Sequence, residues 1–238
     1  MIWEKKTGEA DRVITLLTPS GVVSAYAKNS LRPKNKLTSP TAMLSYSNFE
    51  LFSGKNMFTV DDATIKHRFV KLFSDVQGYA LAAYLCELLK LLAPVDDDAG
   101  DFMSLALNSL YLINDGKKDR DIIKSVFELR IAAFAGYMPD LAECRECGEY
   151  QSDSAWFDVQ EGTWLCRNCA VQNARPINLP GAVLAAMRHI IYSDADKAFS
   201  FELGEQSRKQ LCSICEQYII TRLERGLQTL DFYKTIST

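Results

Sequence analysis

The chain has 238 residues, 47% hydrophobic and 24% charged, which is typical of one or two globular domains and excludes disordered and fibrous proteins. With 27 basic and 30 acidic residues the net charge is -3, which excludes a uniformly basic, histone-like protein. No apolar run approaches the roughly 18 residues of a membrane helix. No apolar signal stretch follows the N-terminus, so we expect a cytoplasmic protein without a membrane segment.

The charges are unevenly distributed along the chain. Residues 1–75 hold 11 basic and 7 acidic residues, whereas the remainder holds 16 and 23. A basic front part on an acidic protein favours a local surface that binds a polyanion, although a chance distribution is the alternative.

The front part is also rich in β-branched and aromatic residues separated by turn signals. The predicted strands are residues 12–18, 22–27, 42–52 and 56–66, with breaks at Pro19–Gly21 and Ser53–Lys55. Residues 1–66 therefore predict an antiparallel unit of four or five strands. A five-stranded Greek-key barrel of the OB type fits this pattern, and such barrels often bind nucleic acid.

A polar loop over residues 28–36 separates two of these strands and contains four cations and no acid. The cations are Lys28, Arg32, Lys34 and Lys36. Phosphate groups of DNA are natural partners for such a loop, and a solvated turn is the alternative. Aromatic residues of the neighbouring strands offer base stacking, although burial in the barrel is the favoured interpretation. They are Tyr26, Tyr46, Phe49 and Phe52.

From about His67 the apolar residues follow helical spacing. The first helical stretch starts near residue 67 and contains residues 80–92. The further predicted helices are 99–114, 119–135, 180–192 and 205–233. Asp96–Asp98 lack the glutamate that a calcium-binding EF-hand needs twelve positions on, so a solvated helix start is favoured there. Together the strands and helices predict an α+β protein: an OB-type domain over 1–66 and a helical domain over 67–238.

Four cysteines form two Cys-x-x-Cys pairs, Cys144 with Cys147 and Cys166 with Cys169, separated by 18 residues. This spacing is typical of a four-thiolate zinc site, which has no open coordination position and is therefore structural. Two short strands, 155–159 and 163–166, surround a turn at 160–162 and predict a hairpin between the pairs. We therefore expect an inserted zinc ribbon at about 140–172; four reduced, buried cysteines are the alternative.

The remaining reactive residue types suggest no active site. Cys212 and Cys215 lie at helical spacing within one predicted helix, and Cys86 lies in another, so core packing is the favoured role for all three. His67 and His189 are interpreted as ordinary helix residues. Neither a nucleophile elbow nor a phosphate-binding loop is present, so we expect a protein that is not an enzyme.

The order of these parts resembles the bacterial DNA repair protein RecO family, which mediates recombination. The resemblance lies in eight segments along nearly the whole chain: 8–18, 21–28, 32–34, 84–88, 127–130, 136–139, 144–148 and 222–225. Two departures stand out. Only Met1–Trp3 precede Glu4, so we expect a shortened first strand, which leaves closure of the barrel open. Asn29 stands where the family usually has glycine, and asparagine can still adopt a left-handed turn.

The resemblance implies binding of single- and double-stranded DNA, annealing of complementary strands and loading of RecA onto DNA coated by the single-stranded-DNA-binding protein, without ATP hydrolysis. It also implies RecR as a partner and contact with the acidic C-terminal tail of the single-stranded-DNA-binding protein. Lys124 and Arg130, near Phe127 and Phe134, are the predicted tail-binding residues. The implied location is the bacterial cytoplasm, associated with the nucleoid.

Two other classes of function remain open at this point. One is an adaptor whose zinc ribbon and helices bind proteins of a nucleic-acid-processing complex, with little DNA affinity of its own. The other is a metal-dependent enzyme that modifies nucleic acid, which would need an open metal position that four thiolates do not leave.

Overall fold

The computed structural model describes residues 1–54 and 57–237. The start of the predicted strand 56–66 and the end of the predicted turn Ser53–Lys55 lie outside the described residues. By contact density the chain forms two units: unit 1 comprises Met1–Lys117 with Leu227–Thr238, and unit 2 comprises Lys118–Gly226. The predicted domain boundary at residue 66 marks the change from strands to helices and stays a prediction.

Unit 1 begins with a five-stranded sheet in the order β1-β2-β3-β5-β4. The strands are β1 Trp3–Thr7, β2 Asp11–Thr18, β3 Gly21–Ala27, β4 Tyr46–Ser53 and β5 Phe58–His67. All neighbours are antiparallel except β3 and β5, which are parallel. Alternate residues of β2 and β3 point inward, and with Leu37 of the following loop and Val60 of β5 they build a core. Its β2 and β3 members are Ile14, Leu16, Ala25 and Ala27.

The five-stranded sheet is OB-like, which confirms the predicted fold class, but it is not closed into a barrel. Among the described residues, the edge strands β1 and β4 form no ladder with each other. The predicted strand from residue 42 in fact begins at Tyr46, because Leu44 adopts a φ of 62°, which a strand cannot contain. Instead of a ladder, the Leu44 N–H donates one hydrogen bond to the Met1 carbonyl at 3.1 Å.

Three helices complete unit 1: α1 Val76–Leu92, α2 Gly100–Asp115 and α7 Gln228–Ser237, with a 3₁₀ turn at Val70–Ser74 before α1. The Asp75 carboxylate caps α1 by accepting from the Gly78 N–H at 3.0 Å. Asp98 accepts from the Gly100 N–H at 2.9 Å at the start of α2, which confirms the helix-start interpretation of the aspartate run.

Unit 2 contains α3 Arg120–Phe134, α5 Gly181–Tyr192 and α6 Glu205–Leu223, with the cysteine-rich segment between α3 and α5. The predicted single helix over 205–233 is wrong. Glu224 closes α6 with a φ of 52°, so the chain leaves the helix before Gly226 and starts again as α7.

Burial confirms core packing for Cys86 and Cys215, whereas Cys212 is only half-buried. Cys86 is 2% exposed and Cys215 is fully buried, and burial raises the pKa of Cys86 to about 12. His189 lies in α5 as predicted, but His67 is the last residue of β5, where its ring packs 4.9 Å from that of Phe69. None of the helices within residues 1–54 and 57–237 is long and apolar enough to cross a membrane.

We predict that Gly21→Ala destabilises the protein by about 1–3 kcal/mol. Gly21 has a φ of 108°, and a Cβ there would lie 2.8 Å from the Asp96 nitrogen and 3.0 Å from the Pro94 carbonyl oxygen. That close approach lets the Val22 N–H donate to the Pro94 carbonyl at 2.8 Å. Thermal unfolding measures the change. Gly226→Ala is the control, because a Cβ at Gly226 meets nothing within 4 Å; equal stability of the two variants would contradict the prediction.

Candidate nucleic-acid interface and metal centre

The loop between β3 and β4 is fixed to the sheet by the buried guanidinium of Arg12, which is 4% exposed. This group forms an ion pair with Glu4 at 2.7 Å. It also donates to the Ser30 and Thr38 carbonyls at 3.1 and 2.9 Å and to the Thr41 hydroxyl at 2.7 Å. One side chain therefore satisfies acceptors from both ends of a loop that has no regular secondary structure to hold it.

Main-chain contacts add to this anchor. The Leu31 N–H donates to the Ala10 carbonyl at 2.8 Å, and the Asn29 N–H donates to the Asp11 carboxylate at 2.6 Å. Asn29 has a φ of 55°, which confirms the expected left-handed turn. The loop thus leaves the sheet in a defined direction.

The four predicted DNA-binding cations, Lys28, Arg32, Lys34 and Lys36, are all exposed on this loop, which we call the cationic loop (residues 28–36). Lys36 pairs with Asp62 at 2.8 Å, and this contact raises the pKa of Lys36. Within the described part of the chain, Lys28, Arg32 and Lys34 make no ion pair. Three cations are therefore available to a phosphate chain, and the fourth is shared with an acid.

Asp11 lies at the base of the cationic loop. The Tyr26 hydroxyl and the Asn29 N–H donate to its carboxylate and lower its pKa, and the nearby charges of Lys28 and Arg32 lower it further. Asp11 therefore stays ionised, fixes the Tyr26 ring and removes part of the positive charge at one end of the loop.

The aromatic residues near the loop differ in exposure. Phe49 packs against the core cluster, as expected from burial. Phe52 is 71% exposed, contrary to that expectation. Tyr46 lies beneath the Lys66 ammonium, 5.4 Å from the ring centre. Phe52 and Tyr26 therefore remain as the aromatic side chains of interest for base stacking.

Sequence reasoning missed the anchoring role of Arg12, although a signal was present. Arg12 shares the period-2 face of Ile14 and Leu16, so a strand that buries those two residues buries Arg12 as well. A charge in that position requires partners, and hydroxyl and carbonyl groups of the following loop supply them.

The second candidate site is the four-cysteine cluster. The sulfur atoms of Cys144, Cys147, Cys166 and Cys169 all lie within 4.8 Å of one another, and those of Cys147 and Cys166 are 3.6 Å apart. A tetrahedral zinc–thiolate site with bonds of about 2.3 Å needs sulfurs about 3.8 Å apart. The four residues thus fit a tetrahedral metal ion and leave no open position for a reacting ligand.

Local structure explains how the sulfurs converge. The predicted hairpin is present as β6 Ser154–Asp158 and β7 Thr163–Cys166, followed by the short helix α4 Arg167–Gln172 and the short strand β8 Leu179–Pro180. Gly148, with a φ of 72°, closes the first pair's turn by donating its N–H to the Cys144 carbonyl at 2.9 Å. Strand β7 then delivers Cys166, whose N–H donates to the Cys144 sulfur at 3.2 Å.

These N–H contacts also favour the thiolate form. Burial by itself raises the pKa of Cys144, but hydrogen bonds from the backbone of Cys166, Cys147 and Glu146 outweigh it and bring the pKa down to about 7. A thiolate near neutral pH is the form that coordinates a metal.

The two residues predicted to bind a partner's tail are both largely buried. Lys124 is 1% exposed and forms ion pairs with Glu128 at 2.7 Å and Glu216 at 2.9 Å. Arg130 is 8% exposed and donates to groups of Ser193 and Asp194. A peptide reaches Lys124 only after these ion pairs open, so this role stays a prediction that requires a rearrangement.

Two family models match the chain. The model described as Recombination protein O N terminal matches residues 1–78, and the model described as Recombination protein O C terminal matches residues 74–231. Together they cover nearly the whole sequence in the order expected for a single protein.

Curated relatives agree with these models. The chain is 32% identical to DNA repair protein RecO of Acetivibrio thermocellus, covering 99% of this chain and 94% of the relative. It is 29% identical to the protein of the same name from Symbiobacterium thermophilum, covering 96% and 92%, and 27% identical to that from Alkaliphilus metalliredigens, covering 98% and 95%.

We predict that Arg12→Met destabilises the protein by about 3 kcal/mol and loosens residues 28–41, because Ser30, Thr38 and Thr41 lose a charged donor and Glu4 loses its partner. Hydrogen exchange of the loop amides measures the loosening. Arg32→Met removes the same charge from the exposed loop and serves as the control. Unchanged exchange in the Arg12 variant would refute the anchoring role.

We predict that the purified protein binds about one metal ion per chain and that Cys144→Ser loses it, since a tetrahedral site needs all four donors. Elemental analysis gives the stoichiometry, and thermal unfolding with and without a chelator gives the stabilisation. Cys212→Ser is the matched control, because Cys212 lies in α6 outside the cluster. A metal-free wild type with an unaltered melting temperature after chelation would contradict the assignment.

Proposed function

The chain belongs to the DNA repair protein RecO family, and from this premise we propose that it is a DNA-binding mediator of recombination. In this proposal it binds single- and double-stranded DNA and anneals complementary strands. It also helps to load the RecA recombinase onto strands coated by the single-stranded-DNA-binding protein, together with RecR and without ATP. It works in the bacterial cytoplasm at the nucleoid.

The observation that carries the proposal is the cationic loop, with three exposed cations held on a short segment that the buried Arg12 fixes to the sheet. Lysine and arginine at such positions neutralise phosphates and release the counterions condensed on DNA. Because phosphates carry no sequence information, binding through phosphate contacts does not depend on the DNA sequence. Tolerance of sequence is what a general repair mediator requires.

The same charges account for annealing in physical terms. Two complementary strands repel each other through their phosphates, and cations placed between or beside them reduce that repulsion. Base pairing then supplies the driving force, so no nucleotide hydrolysis is needed. Binding and alignment of strands are the whole task of the protein in this proposal, and no covalent step occurs on it.

The cysteine cluster has a supporting role in the proposal, with Zn²⁺ as the ion. Four thiolates suit Zn²⁺, which has no redox chemistry and, with all four positions filled, activates no water. The ion would join the two Cys-x-x-Cys turns and so hold the β6–β7 hairpin and α4 together. The partner tail, which is acidic and apolar, would bind to the helical part; Lys124 and Arg130 are the proposed contacts there.

We predict that replacing Lys28, Arg32 and Lys34 together with Ala weakens DNA binding and reduces the salt dependence. Each lost phosphate contact lowers the slope of log K against log salt by about 0.7 on single strands and about 0.9 on duplex. The triple variant should therefore lose about two units of slope on single strands. Fluorescence anisotropy over a salt series measures affinity and slope together.

The control variant replaces Lys117, Lys197 and Lys209 with Ala, because these exposed lysines are not part of the cationic loop and each pairs with a nearby acid. It removes the same number of formal positive charges and should keep the wild-type slope. Lys36→Ala alone should have a smaller effect than the loss of Lys34, since Asp62 already compensates Lys36. Wild-type protein that binds partner proteins but no naked DNA would favour the adaptor function over the mediator.

A further inference from the structure

The four cysteines of the metal centre differ in their exposure to solvent. Cys144, Cys166 and Cys169 are 1%, 4% and 7% exposed. Cys147, in contrast, is exposed and lies within an exposed run over residues 145–150. A small reactant in solution therefore meets the cluster first at Cys147.

A second sulfur lies close to the exposed one. The sulfur atoms of Cys147 and Cys166 are 3.6 Å apart, although they belong to different Cys-x-x-Cys turns. A small movement brings two such sulfurs to the bonding distance of a disulfide, about 2.05 Å. This is the arrangement of a redox-sensitive dithiol, in which an accessible sulfur reacts first and a neighbouring sulfur resolves it.

The first cysteine turn has anchors that do not involve a metal ion. The buried Arg188 of α5 donates to the carbonyls of Leu141 and Tyr150 at 2.7 and 2.6 Å. Its guanidinium also stacks 4.2 Å from the centre of the Tyr150 ring. Both ends of the segment 141–150 therefore stay attached to α5 when the metal ligands change.

The hairpin between the two cysteine pairs is anchored in the same way. Arg222 of α6 donates to the Val159 carbonyl at 2.6 Å. The Asp140 N–H donates to the Gly162 carbonyl at 2.8 Å. Loss of the metal ion would thus change this region locally, and the anchors would keep the cysteines near one another for recovery.

We propose that Cys147 and Cys166 form a redox switch of the metal centre. A hydroperoxide oxidises the exposed Cys147 sulfur, Cys166 resolves the product as a disulfide, and the metal ion is released. This inference goes beyond the proposed function: it requires a metal ion in the four-cysteine cluster but no binding of DNA.

The reaction balances with the hydroperoxide as its oxidant. The Cys147 thiolate attacks one peroxide oxygen and the O–O bond breaks, which gives a sulfenic acid and one hydroxide. The Cys166 thiolate then attacks the sulfenic sulfur, so that the S–S bond forms and a second hydroxide leaves. The two sulfurs together lose two electrons, the peroxide gains them, and two protons from solvent convert the hydroxides into water. The two thiolates that remain do not complete a tetrahedral zinc site.

Treatment of the zinc-loaded protein with hydrogen peroxide tests the switch. We expect release of about one zinc ion per chain to a chromogenic chelator, together with a Cys147–Cys166 disulfide in peptide mass spectrometry. Dimedone, which traps sulfenic acids, should label Cys147 first. A dithiol reductant with added zinc should restore the metal content, because the anchors of α5 and α6 hold the region in place.

Cys147→His separates the exposed sulfur from the metal site, since three cysteines and one histidine also form a structural zinc site. This variant should retain zinc and release it at least about tenfold more slowly under peroxide, because the reactivity of a thiol follows its exposure. Cys169→His is the matched control. It has the same set of donors but keeps Cys147 and Cys166, so it should release zinc at close to the wild-type rate.

Several results would overturn the switch. They are zinc retained by the wild type under peroxide, a first dimedone label on a buried cysteine, and a disulfide within a single Cys-x-x-Cys turn. Equal release rates of the two histidine variants would do so too. The label and the disulfide are mapped on the wild type, so they decide the question even where a histidine variant does not fold. Wild-type protein that takes up no zinc overturns this inference and the metal assignment together, and leaves the proposed DNA binding standing.

Discussion

The proposed DNA-binding part of this protein depends on one buried charge. The guanidinium of Arg12 lies on the inward face of β2, at a position where the strand pattern calls for an apolar residue. Its desolvation is offset only because Glu4 and four groups of the β3–β4 loop converge on it. The buried charge and the ordered loop therefore depend on each other: without the loop groups the guanidinium would be buried without partners, and without the guanidinium the loop would lose its anchor. A loop of this length without regular structure would otherwise present its cations in many directions.

The sequence predicted the elements that rest on local patterns. Strand alternation gave β2 and β3, helical spacing gave α2, α3 and α5, and paired cysteines gave a cluster whose sulfurs do converge. The sequence did not predict where an element begins or ends when a single left-handed residue decides that boundary. The left-handed residues Leu44 and Glu224 shorten β4 and divide the last helix, and neither residue type signals such a conformation.

The candidate site shows the same division between what is local and what is not. The four loop cations are exposed, as expected for lysine and arginine in a polar loop, so the sequence alone could identify them as candidates. The pairing of Lys36 with Asp62 joins residues that are distant in the chain, and the burial of Lys124 depends on Glu216 in another helix. Such partners are set by tertiary packing, which no short motif records.

In the proposed function, the modest charge of the cationic loop suits a mediator. Phosphate contacts act on single strands and on duplex alike and weaken steeply with salt, so additional cations would also hold the annealed product more tightly. Here Asp62 pairs with Lys36, and Asp11 lies near Lys28 and Arg32, so the net positive charge of the loop is reduced. With few phosphate contacts to break, release of the annealed duplex in the proposed function needs no nucleotide hydrolysis.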